Sequence, residues 1–396
     1  MRPLLVKLHR WLGIGVALFL FMSGLTGAVI AWNQELDAAL NHEFYYARSN
    51  GPALSSLELA NRIELADPRV RVTYLPLGAE PGHTLQVRVE GKIDPATKMP
   101  YALGFDQLAI DPATGAIQAR REWGALSLSR LNLLPFLYRF HYTLYLPFTA
   151  GGLSLGVWLL GMVAIIWLFD SLIALILAFP NAKSWRKSLA FRVKRGGYAL
   201  TFDLHRSGGV WIWCLLLVIA TTSISMNLAA QVVRPAVSWF STLTPTPFYD
   251  AERLAMPKPG SATLPRERIV ELAHPAGRDA KLTAAAGAIY FSSALNVYAV
   301  GYFASGGDEG EGPLGNPWLY WNGATGEHIA SNIPGRGSAG DLFMEAQFPL
   351  HSGRMGGVAG RVVVSFMGVM VALLSVTGFA IWLKKLRARR GMPRKT

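Results

Sequence analysis

Four long apolar stretches, at roughly residues 12–32, 152–179, 210–230 and 357–383, decide most of what this chain can fold into. Each approaches or exceeds the ~20 residues that carry a helix across a hydrocarbon core about 30 Å thick. A composition of 51% hydrophobic and 16% charged residues suits such spans better than a soluble globule. The alternative for the first stretch is a cleavable signal peptide. It is longer than a typical signal core, and strongly cationic flanks follow the second stretch, so the first is read as a retained span. The expected fold class is an α-helical membrane protein with four transmembrane helices.

The formal net charge of +13 invites a nucleic-acid reading, which its distribution removes. Residues 1–10, 180–206 and 384–396 hold 17 Lys and Arg against one acid, Asp203, leaving 21 basic and 24 acidic residues elsewhere. The excess therefore flanks helix ends, where the positive-inside rule places it on the cytoplasmic face. That sets the expected topology. Residues 1–32 are a cytoplasmic end and first span, 33–150 a periplasmic segment, and 151–179 the second span. Residues 180–206 form a basic cytoplasmic loop and 207–230 the third span. Residues 231–350 are a second periplasmic segment, 351–383 the fourth span and 384–396 a basic tail. The chain would thus be a multi-pass protein of a bacterial inner membrane with both termini in the cytoplasm and no nucleic-acid partner.

An internal repeat organises this layout. Leu8-His9-Arg10 with Gly13 opens one copy, and Leu204-His205-Arg206 with Gly208 and Gly209 opens the other. Asp111-Pro112-Ala113-Thr114-Gly115 matches Asn322-Gly323-Ala324-Thr325-Gly326, and Phe140-His141 and Leu350-His351 follow those threonines by 27 and 26 residues. Each external segment reads as a small α+β domain. Residues 57–66 and 267–273 are helical in pattern, while 71–77, 84–90 and 288–302 alternate as strands do. The two D/N-x-A-T-G elements are expected hairpin turns. Residues 306–315 (GGDEGEGPLG) read as a solvated acidic loop.

A single cysteine, Cys214, rules out intrachain disulfides and cysteine-ligated iron–sulfur clusters. Of eight histidines, His42, His83, His274 and His328 lie at unrelated positions in the external segments and read as ordinary surface residues. The other four stand one at the entry of each span. Orientation sorts them by depth: His9 with His205 on the inner side, His141 with His351 on the outer. A neutral imidazole pair is the ligand set of a six-coordinate b-type haem, and it leaves no open position for oxygen chemistry. No C-x-x-C-H is present, so the attachment would be non-covalent. Gly13 and Gly209, four residues after His9 and His205, would clear space for the ring on the same helical face. Ser23-Gly24-Leu25-Thr26-Gly27 and Ser375-Val376-Thr377-Gly378 would do so at the other depth of their helices. Arg10, Arg206, Arg139 and Arg354 are candidates for the haem propionates. Any one His-Arg alone would read as an interfacial anchor, and glycines alone as helix-packing positions. The depth-matched set in repeat register favours ligation, and two histidines without thiolate or carboxylate partners would make a poor zinc site. Asp170, in an apolar run, is either a proton acceptor near the inner site or an interfacial acid paired with a base.

At these residues the sequence resembles the PepSY-associated transmembrane family of iron-regulated membrane proteins. The likeness rests on Leu8-His9-Arg10-Trp11-Leu12-Gly13, Gly24-Leu25-Thr26-Gly27, the 111–115 turn, Leu350-His351-Ser352-Gly353, and Val376-Thr377-Gly378 before Trp382-Leu383. It extends over nearly the whole chain. The third span departs by having Ser207-Gly208 where the first has Trp11-Leu12. The resemblance implies two haems and a ferric-siderophore reductase of the ferrioxamine type, with quinol or a cytoplasmic reductase as donor and PepSY-like external domains. The alternatives are a cytochrome b-like subunit serving a protein partner, and a haem-free binding or regulatory protein. No G-x-G-x-x-G follows a strand, and the cytoplasmic loops are too short for a flavin domain.

Overall fold

The computed structural model describes residues 1–148, 154–181, 183, 185–258, 260–307 and 313–390. The expected start of the second span at 151, half of the acidic loop 306–315 and the end of the basic tail lie outside the described residues.

In chain order the helices begin with α1 (Arg2–Ile30), the short α2 (Asn33–Leu40) and α3 (His42–Tyr45), then α4 (Ser56–Ala66) and α5 (Leu133–Thr143). They continue with α6 (Leu155–Ala178), α7 (Trp185–Leu189), α8 (Gly197–Trp211), α9 (Trp213–Leu228) and α10 (Arg234–Ser238). The last are α11 (Arg266–Asp279), α12 (Ala339–Ser352) and α13 (Gly357–Arg390). The strands are β1 (Val70–Pro76), β2 (Leu85–Gly91), β3 (Gln107–Ile110), β4 (Ile117–Arg121), β5 (Ala286–Ser292), β6 (Val297–Tyr302), β7 (Trp318–Asn322) and β8 (His328–Asn332).

The chain divides into two compact units. One comprises Met1–Asn33, Leu137–Pro235 and Gln347–Thr396; the other comprises Gln34–Phe136 and Ala236–Ala346. The first is the helical unit, with four helices long and apolar enough to span a membrane: Arg2–Ile30, Leu155–Ala178, Trp213–Ser238 and Arg354–Arg389. Trp167 of α6, Leu216 and Ala220 of α9, and Met367 and Val371 of α13 meet in a shared core with Leu20 of α1. α1 and α13 cross at Gly24 and Gly368, where a Cβ on Gly24 would come within 2.6 Å of the Gly368 carbonyl oxygen. Small residues at such crossings let backbones approach, the main source of helix attraction in lipid. Where α1 ends, Arg361 donates to the Ala31 carbonyl at 2.7 Å, and its guanidinium lies 4.3 Å over the Trp32 ring. Trp32 in turn donates to Ser365 at 2.9 Å. These contacts satisfy a terminal carbonyl that the helix itself cannot.

The expected third span, 207–230, is not one helix. It breaks at Ile212 between α8 and α9, and a π-helical turn at Ala229–Val233 follows. The histidines stand on two kinds of helix. His9 and His205 lie within α1 and α8, whereas His141 and His351 lie on α5 and α12, separate helices ahead of the spans. Leu144 and Tyr145 take positive φ after α5, and Gly353 takes φ 77° after α12. Those residues reverse the chain before α6 and α13 begin.

The second unit is an antiparallel sheet in the order β4-β3-β2-β1-β5-β6-β7-β8. The two external segments therefore share one sheet instead of each closing alone, joined where Tyr74 pairs with Tyr290 and Leu75 with Ile289. α4 and α11 cover one face with Leu59, Ile63, Ile269 and Ala273, packed on Leu75, Val87, Leu108, Ile289, Val300 and Trp321. The expected strand 288–302 is a hairpin of β5 and β6, turned at Asn296 with φ 49°. The two D/N-x-A-T-G elements do form the β3–β4 and β7–β8 turns. Asp111 Oδ1 accepts from the amides of Ala113 and Thr114 at 3.0 and 3.2 Å; Asn322 Oδ1 accepts from Ala324 and Thr325 at 3.0 and 3.1 Å.

Candidate functional site: two facing histidine pairs

The four span-associated histidines meet two by two inside the helical unit. His9 of α1 faces His205 of α8 with ring centroids 6.0 Å apart, and His141 of α5 faces His351 of α12 at 6.3 Å. Both pairs are tilted, at 43° and 54°. His9 lies near the start of α1, while His141 lies beside Thr26 near its end. The 17 residue steps from His9 to Thr26, at 1.5 Å each, separate the two pairs by about 25 Å along the helix.

Every Nδ1 in the set has a partner. His9 Nδ1 lies 2.9 Å from Asp170 Oδ1 on α6. His205 Nδ1 lies 3.0 Å from the Leu374 carbonyl and 3.2 Å from Thr377 Oγ1 on α13. His141 Nδ1 meets Thr26 Oγ1 at 2.9 Å, and His351 Nδ1 meets Thr222 Oγ1 at 3.0 Å.

These partners fix the tautomers. A carboxylate and a carbonyl only accept, so His9 and His205 carry their proton on Nδ1. The threonines reach the same result less directly. Thr26 donates its hydroxyl hydrogen to the Met22 carbonyl at 2.8 Å, and Thr222 donates to the Val218 carbonyl at 2.9 Å. With that hydrogen committed, each hydroxyl oxygen accepts from its histidine. All four rings thus keep Nδ1–H engaged, leaving Nε2 as the nitrogen available to a metal.

Two glycines admit the rings. A Cβ on Gly27 would stand 3.1 Å from Cε1 of His141, and one on Gly378 would stand 2.9 Å from Cε1 of His205. Thr26-Gly27 and Thr377-Gly378 therefore each pair a hydroxyl facing a ring with a bare backbone beneath it. Gly13 and Gly209, expected to clear space for a haem, meet no histidine ring within 4 Å. The neighbour of a Cβ on Gly13 would be Asp170 Oδ2 at 3.5 Å, and of one on Gly209 Leu374 Cδ2 at 3.7 Å.

The arginines are partly committed. Arg206 donates to the Lys187 carbonyl, pairs with Asp203 at 3.4 Å and lies over Phe202, yet its Nε is buried with no hydrogen-bond partner among the described residues. Asp203 is held mainly by Arg192, at 2.7 Å. Arg139 lies over Tyr145 and Arg354 over Phe348. Arg10 is half-buried. The other four histidines belong to the sheet unit, where His42 and His83 both pack against Tyr46 and His328 packs edge-on against Trp321.

Thr222 escaped the sequence reading altogether, and Thr26 and Thr377 entered it only as small residues. One signal was available: Thr26 and Thr222 each follow an inner histidine, His9 and His205, by 17 residues. Among the described residues no group of three or more His, Cys, Asp or Glu is arranged around one metal position. Each pair offers two ligands and no more. Such a site suits a metal whose other positions are filled by its own macrocycle.

No curated protein matches the chain significantly. The family model of the PepSY-associated TM region matches residues 6–385, and the chain is a member of that family of membrane proteins.

Proposed function

From that membership, and from the two facing pairs, we propose that the protein is a di-haem electron carrier of the bacterial inner membrane that reduces a periplasmic ferric siderophore. The observation that carries this reading is the ring separation. A metal–imidazole bond is about 2.0–2.1 Å, and a ring nitrogen lies about 1.2 Å from its centroid, so two histidines facing each other across one metal would place their centroids about 6.5 Å apart. The pairs stand at 6.0 and 6.3 Å. Two b-type haems so held would supply one-electron transfer with no vacant coordination position.

His9 and His205 hold one site, and His141 and His351 the other. Gly27 and Gly378 let the rings seat, and the Nδ1 partners orient each ring and leave its Nε2 for the metal. Arg206, like Arg10, Arg139 and Arg354, would be a partner for a propionate. With the basic ends of the spans in the cytoplasm, the first pair faces the donor, a quinol or a cytoplasmic reductase. The second faces the ferric chelate, which takes one electron and loses its hold on the resulting ferrous ion. The matching 17-residue spacings, and the two meanders of the sheet joined through β1 and β5, support reading the chain as two repeats. A spectrum of the purified protein tests the proposal. Reduced α and Soret bands with two haems per chain are expected, followed by anaerobic reduction of a ferric siderophore. Absence of haem sinks it, and haem without siderophore reduction favours a subunit that passes electrons to a protein.

A further inference from the structure

Three of the four Nδ1 groups meet neutral oxygens; one meets a carboxylate. We propose that Asp170 is the residue that sets the direction of electron flow, by making the His9/His205 site the lower-potential of the two. This inference rests on the haem reading above.

Asp170 lies on a membrane-spanning helix, with its side chain only 10% exposed and its Oδ1 on His9 Nδ1. The interfacial alternative requires a basic partner. Among the described residues no Lys or Arg lies within ion-pair distance of it, and His9 is its counterpart. Gly13, one turn beyond His9, leaves the second oxygen uncrowded. The carboxylate is thus held for the histidine.

The chemistry follows from charge. A ferric haem carries one more positive charge than a ferrous one, and a carboxylate on Nδ1–H raises the basicity of Nε2 and favours the more positive state. In the low-dielectric interior the effect reaches through the ring. At the other pair, Thr26 and Thr222 offer only hydroxyl oxygens. Asp170 therefore favours the oxidised metal at its own pair, and an electron from the quinol or reductase donor comes to rest at the other. Only the electron moves; no bond or proton is exchanged between the sites.

Asp170 is on this account a positioning and tuning residue, and the test reads potentials, not turnover. The full-length haem-loaded protein is titrated spectroelectrochemically at one fixed pH. The wave lost in His205→Ala identifies the first site, and in the unmodified protein it is the lower of the two. Asp170→Asn keeps the hydrogen bond and removes the charge; it should move that wave positive and leave the other in place. Asp170→Glu should restore most of the difference. If the asparagine variant loses that haem, Thr222→Asp asks the converse and should move the second wave negative. An unmoved wave, both waves moving together, or haem loss in both variants overturns the inference. A protein without any haem overturns the reading beneath it as well, so the two failures are distinct.

Discussion

The two halves of the chain place different groups along one sheet. In the sheet, one row of paired residues crosses all eight strands: Arg121, Gln107, Arg88 and Tyr74 in the first half, then Tyr290, Ala299, Tyr320 and Ala330 in the second. The first stretch ends in a buried ion pair. Arg121 meets Asp37 at 2.6 Å, with the two side chains 5% and 1% exposed. Asn41 and Tyr45 donate to the same carboxylate at 2.7 Å each, and the guanidinium lies 4.0 Å over Phe44. The second stretch is aromatic, with Phe248 against both Tyr290 and Tyr320. The helical unit shows the same contrast, since His9 of the first half rests on a carboxylate and His205 of the second on a carbonyl and a hydroxyl. Along this row and at this histidine pair, the two halves differ in charge.

The largest expected effect shows where the halves cannot be separated, because each histidine pair takes one residue from each. His205→Ala and His351→Ala should each remove one haem of two, measured by pyridine haemochrome per chain. Loss of both haems from either variant would mean the sites are not independent. Next comes the ion pair. Asp37→Ala strands a buried guanidinium and should destabilise the sheet unit by about 3–5 kcal/mol. Phe248→Ala, on a ring 48% exposed, should cost only about 1–2 kcal/mol. Denaturant midpoints compare them directly, and equal losses would erase the contrast. Within the helical unit, Gly27→Ala and Gly378→Ala both crowd a histidine. Overpacking of this kind costs about 1–3 kcal/mol. Haem retention should fall more for Gly378→Ala, whose Cβ would come closer to its ring.

Much of this was legible in the sequence because its signals are local. Hydropathy marked the spans, and the D/N-x-A-T-G pattern marked two turns whose geometry rests on one side chain and one glycine. The histidine partners that repeat register and charge pointed to are the ones that face each other. The rest depended on distant contacts or on residues that carry no local mark. β1 and β5 pair across more than two hundred residues, which no periodicity reveals. The β5–β6 turn has neither Gly nor Pro and relies on Asn296. The reversal after α5 uses Leu144 and Tyr145 at positive φ, where a sequence reading expects glycine. The threonine partners were hidden because a Thr in an apolar helix ordinarily bonds its own backbone, as Thr26 also does.

The smallest difference between the halves is a single atom in the two matched turns, and pH should expose it. Burial disfavours the charged form of Asp111, but the Ser49 hydroxyl and the amides of Thr114, Ala113 and Ser49 outweigh it and hold its pKa below the ordinary value. A carboxyl depressed in the folded state contributes stability that is present above its unfolded pKa, about 3.9, and is lost as pH falls through the folded value. Asn322 makes the same two turn contacts with no titratable group. Asp111→Asn keeps Oδ1, with the turn amides and the Ser49 hydroxyl at 2.5 Å, but puts a donor in place of Oδ2, which accepts from the Ser49 amide at 3.0 Å. One lost hydrogen bond is worth about 1 kcal/mol, so the variant should be less stable by about that much at neutral pH. The gap should close on acidification below the ordinary carboxyl range. A gap that stays constant with pH would show that the first-half turn holds by shape alone, as the second-half turn does.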